Sequence, residues 1–394
     1  MSYRELQVHV TSSNPFFDVW QQANVTINSL DTLYDSGMLP LEIMLRLCSI
    51  ACMHHGYKHG HLTWQLCLLA LFSFVDSFGT SFGGWCKGPS LIMRDSCSDF
   101  GLHGFFWSFW AYGALMVSFR LGLKWRLSRC LVAGLLTFCV GIPFESVGNA
   151  AGWWQSTPGT WMGFGPEMYH NDLGTRPSLD VGTGYWGATY ESNYAVHFFM
   201  GFSVCLMVEL FRFKSPDGGL DAEGYPVLSV WRGVVAVLAG YTIASALFTP
   251  LSLYVHTEAA YKVAIVLLIV VSTAVAMVAL LLPRAPVQAP DYALLWPMPA
   301  YTLFQLVTML FALFGVGPIS LLPWADKKII SIRTDDPDTD CDQCMWFKFP
   351  YPPVAHWEQR QLEATGLSAF GFVCTVALYY KACAPGYFKR LDCH

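Results

Sequence analysis

The run Val263–Leu282, VAIVLLIVVSTAVAMVALLL, is twenty residues long and carries no charge. At about 1.5 Å per residue, such a helix spans the roughly 30 Å hydrocarbon core of a bilayer. Pro283 and Arg284 end it, and Gly233–Thr257 and Ala293–Ala325 are also charge-free. In lipid the backbone must satisfy its own hydrogen bonds, which leaves helices as the natural spanning element for runs of this length.

Composition supports the same class. Of 394 residues, 13% are charged and 54% hydrophobic, with mean hydropathy +0.39. Soluble domains carry about 25% charged residues. The net charge of −5 and the lack of Lys/Arg clusters interleaved with aromatics argue against nucleic-acid binding. Aromatic residues make up 15% of the chain, which suits interfacial belts.

The sequence therefore predicts an all-α polytopic integral membrane protein with eight or nine transmembrane helices and two long outer-side loops. A polar arm, 1–39, lacks the apolar core of a cleavable signal peptide. Region 40–149 holds four spans: Pro40–Tyr57, His61–Phe82, His103–Leu121 and Arg129–Asn149. An aromatic and Gly-rich outer loop, 150–193, follows. Region 194–322 holds Tyr194–Phe213, Val230–Tyr254, Ala259–Leu282 and Ala293–Leu322, the last interrupted by Pro297, Pro299 and Pro318. A second outer loop, 323–363, carries a CxxC, and 364–394 holds the span Ala364–Ala382 and a short basic tail. The first span contains Glu42 and Arg46, so the count is eight without it.

Basic residues set the orientation. Arg120, Lys124, Arg126 and Arg129 surround one connection, Arg212, Lys214 and Arg232 flank another, and Lys381, Lys389 and Arg390 lie near the C-terminus. The loop Ala150–Asn193 has only Arg176. The C-terminus and the basic connections are expected on the cytosolic or matrix-like side. The arm and the loops 83–102, 150–193 and 324–363 are expected on the other. Two features agree with this. Asn24-Val25-Thr26 is a glycosylation sequon on the outer arm. Cys86, Cys97, Cys341 and Cys344, four of the 13 cysteines, fall in outer loops, where an oxidising compartment permits disulfides.

Titratable groups inside a bilayer are expensive and call for a reason. Asp76 and Glu145 lie fifteen and sixteen residues above the inner ends of their spans, which places both near the outer leaflet. His103, His197 and His256 fall at the same depth on three other spans. These groups define a candidate site beneath the aromatic loop. His103, His197 and His256 would be metal ligands, for Zn²⁺ by their chemistry, with Asp76 and Glu145 as catalytic carboxylates. The bland reading is that they cap helices or meet the aqueous interface.

The stretch Glu145-Ser146-Val147-Gly148-Asn149-Ala150-Ala151-Gly152 resembles, over about ten residues, a pattern of carotenoid-modifying membrane enzymes. The aromatic-rich continuation of that family is absent here, and GxxxG helix packing explains the glycines equally. His54-His55-Gly56-Tyr57-Lys58-His59-Gly60-His61 is the densest titratable patch, with His55 and His59 on one helical face. It looks like one box of a di-iron desaturase, but those enzymes need about three. A tight inner turn is the expectation, with a surface metal site or proton antenna as its functional alternatives. Glu209 and Arg212 are spaced as an i,i+3 ion pair.

Three functions remain open at this level. The first is a site that binds or acts on a lipid-like molecule near the outer leaflet, with bound lipid. The second is an accessory subunit of a larger membrane assembly, partnered by other membrane proteins. The third is a transporter.

Overall fold

In a computed structural model, the structure describes residues 26–35, 38–81, 85–87, 90–93, 101–150, 154–156, 185–186, 189–213, 219–254, 258–282, 290–314 and 357–384. Helix dominates them. After a two-residue strand β1 (Thr26–Ile27) come α1 (Leu30–Asp35), α2 (Leu39–Lys58) and α3 (Leu62–Ser81). Strands β2 (Trp85–Lys87) and β3 (Ile92–Met93) precede α4 (Leu102–Arg120) and α5 (Arg126–Ala150). Strands β4 (Trp154–Ser156), β5 (Tyr185–Trp186) and β6 (Thr189–Tyr190) lead into α6 (Glu191–Phe213). The remainder is α7 (Val230–Tyr254), α8 (Glu258–Leu281), α9 (Tyr292–Leu295), α10 (Pro297–Phe314) and α11 (Trp357–Cys383).

Each of the nine segments read as spans contains a helix, although α10 is described only to Phe314 and α11 begins at Trp357, before the expected Ala364. By length and composition, two stretches among the described residues can cross a membrane, Tyr292–Leu310 and Thr365–Cys383. Shorter apolar helical stretches run over Leu62–Phe74, Val230–Ala244 and Val266–Leu281. The interrupted span breaks where its prolines stand. Helix α9 stops at Leu295 and α10 begins at Pro297, a position where a missing N–H costs nothing.

Helix α5 runs through the middle of the bundle and packs on α4, α6, α8, α10 and α11. Its contacts are close because neighbouring helices present glycine. A methyl group at Gly371 of α11 would strike the Cys139 carbonyl oxygen, and one at Gly201 of α6 would strike Thr137 and the Ala133 carbonyl. Helix α4 is buried almost all round, from Leu102 to Arg120, as a central helix must be. Several polar side chains within the core bond internally. Ser49 and Ser108 join α2 to α4 at 2.6 Å, and Thr137 and Thr302 bond back to carbonyls one turn earlier.

The outside is apolar in places. Helix α8 exposes Val263, Val266, Leu267, Val270, Val271, Met277, Val278 and Leu281. Helix α2 exposes Ile43, Leu47 and Ile50. Such contiguous faces are rare on soluble monomers and suit lipid contact.

The connections sort to two ends. At one, β1 pairs antiparallel with β3 and β2 with β4, so the arm and the 83–102 and 150–193 segments meet there. The Glu42 carboxylate adds to this end by accepting from the Leu91 N–H at 2.6 Å and pairing with Arg46. At the other end, residues of the basic connections come together.

Eight cysteines have described side chains, and all eight are free thiols. Cys97, Cys341 and Cys344, the sequon residue Asn24, and the Cys86 side chain lie outside the described residues.

The close α5–α11 contact yields a prediction. Gly371→Val forces the two helices apart and costs about 1–3 kcal/mol, the usual range for overpacking. Thermal unfolding in detergent should show a lowered midpoint, whereas Gly366→Val on the same helix, where a Cβ meets nothing within 4 Å, should change it less.

Candidate metal centre

The 54–61 patch forms the end of α2 and the turn into α3. Helix α2 ends at Lys58, and Gly60 adopts φ +73°, a left-handed conformation that glycine takes without strain. The chain thereby reverses, and the His61 N–H reaches back to the Gly56 carbonyl at 2.6 Å. This tight turn brings His55, His59 and His61 together. His55 and His61 are 1% and 2% exposed.

A hydrogen-bonded chain starts at the Pro226 carbonyl, which can only accept. His61 Nε2 lies 2.8 Å from it and must therefore donate. In the neutral ring Nδ1 is then an acceptor, and the Tyr112 hydroxyl, 3.2 Å away, supplies the proton. The Tyr112 oxygen also lies 2.7 Å from His55 Nδ1, and with its own proton committed it accepts from that N–H. The network so assigned leaves His55 Nε2 with its lone pair. That lone pair belongs to a nitrogen 2.9 Å from Asp291 Oδ2. Although this is ion-pair distance, His55 Nε2 makes no hydrogen bond of acceptable geometry.

Asp291 sits immediately before α9 and caps it, its Oδ1 accepting from the Leu294 N–H at 3.1 Å. Its own N–H donates to the Cys383 carbonyl at 2.9 Å, which fastens the end of α11. The Tyr225 hydroxyl donates to Oδ2 at 2.5 Å and accepts from Arg120 Nη1 at 2.6 Å. Arg120 is 3.5 Å from the same carboxylate oxygen. Burial by itself raises the Asp291 carboxyl. His55 beside it, then the Tyr225 hydroxyl and the Leu294 N–H, outweigh burial and hold it below the usual carboxylate range, so it is ionised. Burial, joined by Cys383 and Asp291 and opposed by Arg120, pushes the Tyr225 hydroxyl well above its ordinary value. It therefore stays protonated and able to donate.

His59 completes the group from the solvent side. Its ring stacks obliquely on His55 at 4.4 Å, and Nδ1 lies 3.1 Å from Asp221 Oδ2. Its Nε2 is 3.8 Å from Glu223, which is 45% exposed. The Asp221 carboxylate in turn accepts from the Glu223 and Tyr225 N–H groups at 2.9 and 2.8 Å. These bonds form the Asp221–Tyr225 turn.

His55, His59 and Asp291 could hold a metal ion, since one ligand atom from each lies within 4.8 Å of the others. Both histidines have their Nδ1 fixed by a neighbour, Tyr112 for His55 and Asp221 for His59. Metal-binding histidines are commonly oriented in this way through the nitrogen that does not bind.

The site expected near the opposite end is placed as follows. His103 packs against Phe106 and Phe144 at one end of α4. His197 is 4% exposed and lies against Trp107 and Trp110. Asp76 and Glu145 are on α3 and α5, and their side chains fall outside the described residues, as does His256. Among the described residues, neither His103 nor His197 belongs to a metal-type group of three. The sequence reading overlooked Tyr112, Arg120, Tyr225 and Asp291. One signal for Asp291 was available: it is the only acidic residue between Glu258 and Asp326.

The chain matches no protein-family model, no curated protein and no solved structure.

Tyr225 is the bridge between a buried guanidinium and a buried carboxylate, so its hydroxyl can be tested alone. Tyr225→Phe leaves both charges one partner short and should cost about 1–3 kcal/mol. The thermal midpoint in detergent reports it, and a variant as stable as the native protein would remove the hydroxyl from the network.

Proposed function

We propose that this is a multi-spanning membrane protein that carries out metal-assisted chemistry at the His55–His59–Asp291 centre, with a Zn²⁺-class ion as its cofactor. One observation carries this reading. The chain from Pro226 through His61 and Tyr112 aims an unprotonated His55 Nε2 toward an ionised carboxylate. A lone pair facing a carboxylate at that distance is repulsive, and a cation bound by both atoms removes the repulsion. A divalent ion with nitrogen and oxygen ligands meets that demand, and His59 offers the third ligand.

The membrane part of the reading rests on two spanning-length apolar helical stretches and on the exposed aliphatic faces of α2 and α8. The count of eight or nine crossings is supported by the long helices that, among the described residues, fall on the apolar segments.

Three protein ligands leave a position open for water or substrate, as in catalytic rather than structural zinc sites. An ion there would polarise a carbonyl or phosphoryl oxygen or lower the pKa of bound water. The protein's own groups define the remaining roles. Asp221 orients His59, and Tyr112 orients His55. Glu223, half exposed and beside His59, is placed to take a proton at the mouth of the site. Arg120 and Tyr225 hold Asp291 ionised and fixed. A centre at the end of a lipid-embedded bundle suits an amphiphile whose polar head reaches the ion while its chain stays in the bilayer.

Cobalt substitution tests the cofactor directly. Chelator-stripped protein in detergent should take up about one Co²⁺ per chain and show the visible bands of a four-coordinate N/O site. His59→Ala should abolish those bands while leaving the fold intact, since His59 is the more exposed histidine of the three ligands. Asp221→Asn should weaken the affinity about 10–100-fold. Uptake of Co²⁺ that neither substitution changes, or no uptake by folded protein, would sink the proposal.

A further inference from the structure

Helices α10 and α11 pack on each other and on α4 and α5. Neither carries a charged residue over 297–314 or 364–380. The side they bury is nevertheless polar: Thr302, Gln305 and Thr308 of α10 and Thr375 and Tyr379 of α11 are all buried. The two helices run antiparallel, since the Asp291 N–H, just before α9 and α10, meets the Cys383 carbonyl at the end of α11. Two contacts set their relative heights. A methyl group at Gly113 of α4 would lie 2.6 Å from the Tyr379 hydroxyl and 3.5 Å from Met298 Cγ, so Tyr379 and Met298 share a level. Two turns further along α10, Gln305 Nε2 donates to the Val140 carbonyl at 3.3 Å, while Gly371 abuts the neighbouring Cys139 carbonyl. Thr375 stands between these levels, four residues from Gly371 and four from Tyr379, which is about 6 Å of rise each way.

One polar atom at each of these three levels lacks a partner. The Tyr379 hydroxyl, the Thr375 hydroxyl and Gln305 Oε1 are buried and make no hydrogen bond among the described residues. Tyr379 and Thr375 are 0% exposed and Gln305 is 1% exposed. A buried polar atom without a partner is costly, and lipid around the bundle offers it none. The missing partner must donate to Gln305 Oε1 and bond hydroxyls that can both give and take a proton. It must also be neutral, because no charged side chain of α10 or α11 stands in the seam to balance it. Water meets these conditions, and internal waters characteristically serve buried polar groups left unsatisfied by the protein. Two hydrogen bonds of about 2.8 Å reach about 5.6 Å, close to the rise of one helical turn, so a single water can bridge each step.

We propose that the seam between α10 and α11 binds a file of internal waters, running from Tyr379 past Thr375 to Gln305. Its upper end lies one turn from Cys383, whose carbonyl receives the Asp291 N–H. The file therefore carries hydrogen bonding from the Asp291 end of the bundle into its apolar middle. It joins α11 to α10 through water where their side chains do not bond directly. The site needs no metal ion, and it stands or falls separately from the His55–His59–Asp291 centre.

Radiolytic footprinting of the full chain in neutral detergent tests for the waters without altering the protein. X-rays generate hydroxyl radicals from bound water, and mass spectrometry locates the oxidised side chains. Tyr379 should be modified well above Phe106, an equally buried ring stacked between Trp110 and Phe144, each normalised to its rate in the unfolded chain. The sign of a stability change gives the second readout. Thr375→Val keeps the side-chain shape and removes the hydroxyl, and Tyr379→Phe does the same at its level. In a hydrated seam both variants lose hydrogen bonds and should lower the thermal midpoint. In a dry seam both remove an unpaired polar group and should raise it. Tyr379 labelled no more than Phe106, or a midpoint that rises or stays level in both variants, would overturn the proposal.

Discussion

Asp291 is the group on which one end of this bundle depends. It caps α9 through Leu294, receives Tyr225 from the 219–229 connection, faces His55 of α2, and lies near Arg120 of α4. Its backbone N–H holds the last turn of α11. Five segments far apart in sequence thus meet at one carboxylate. Removing a lone charge from water costs several kcal/mol, so such a residue persists only if its donors are held in place by the rest of the fold. The converse also holds: the helices cannot slide at this end without unpairing it.

The two clusters at that end solve the same problem differently. Around Asp291 one acid is matched by one arginine and a neutral tyrosine, and what remains unsatisfied is a nitrogen lone pair. Around Glu209 one acid is shared by arginines from two helices, Arg126 and Arg129 of α5 and Arg212 of α6. The lone pair calls for a cation, and the metal assignment follows from it.

Much of the architecture was legible in the sequence because hydrophobic runs and prolines act locally. Among the described residues the long helices fall on the nine apolar segments, and the break at Trp296–Pro297 falls where proline cannot continue a helix. The β1–β3 and β2–β4 pairings join the arm to the 83–102 segment and that segment to residues 154–156, contacts that no local pattern announces. The i,i+3 pair Glu209–Arg212 is present as read, although Arg129 was invisible to that argument because it comes from another helix. The 54–61 patch was correctly read as a tight turn, but its partners Tyr112, Tyr225 and Asp291 lie 51 or more positions away from the histidines they meet.

The sequence by itself determined that this chain is helical, rich in lipid-length apolar segments, and studded with a few charges too costly to be idle. Those properties depend on composition and on periodicity along the chain. It also set the height of each polar group along its own helix, because height is residue number multiplied by a fixed rise. Azimuth was decided only by tertiary structure. Rotation of a helix about its axis is set by packing, here by the glycine contacts of α5 and the near-complete burial of α4. Packing therefore chose which histidines meet a carboxylate, gathering His55 and His59 around Asp291 at the end where the basic connections gather.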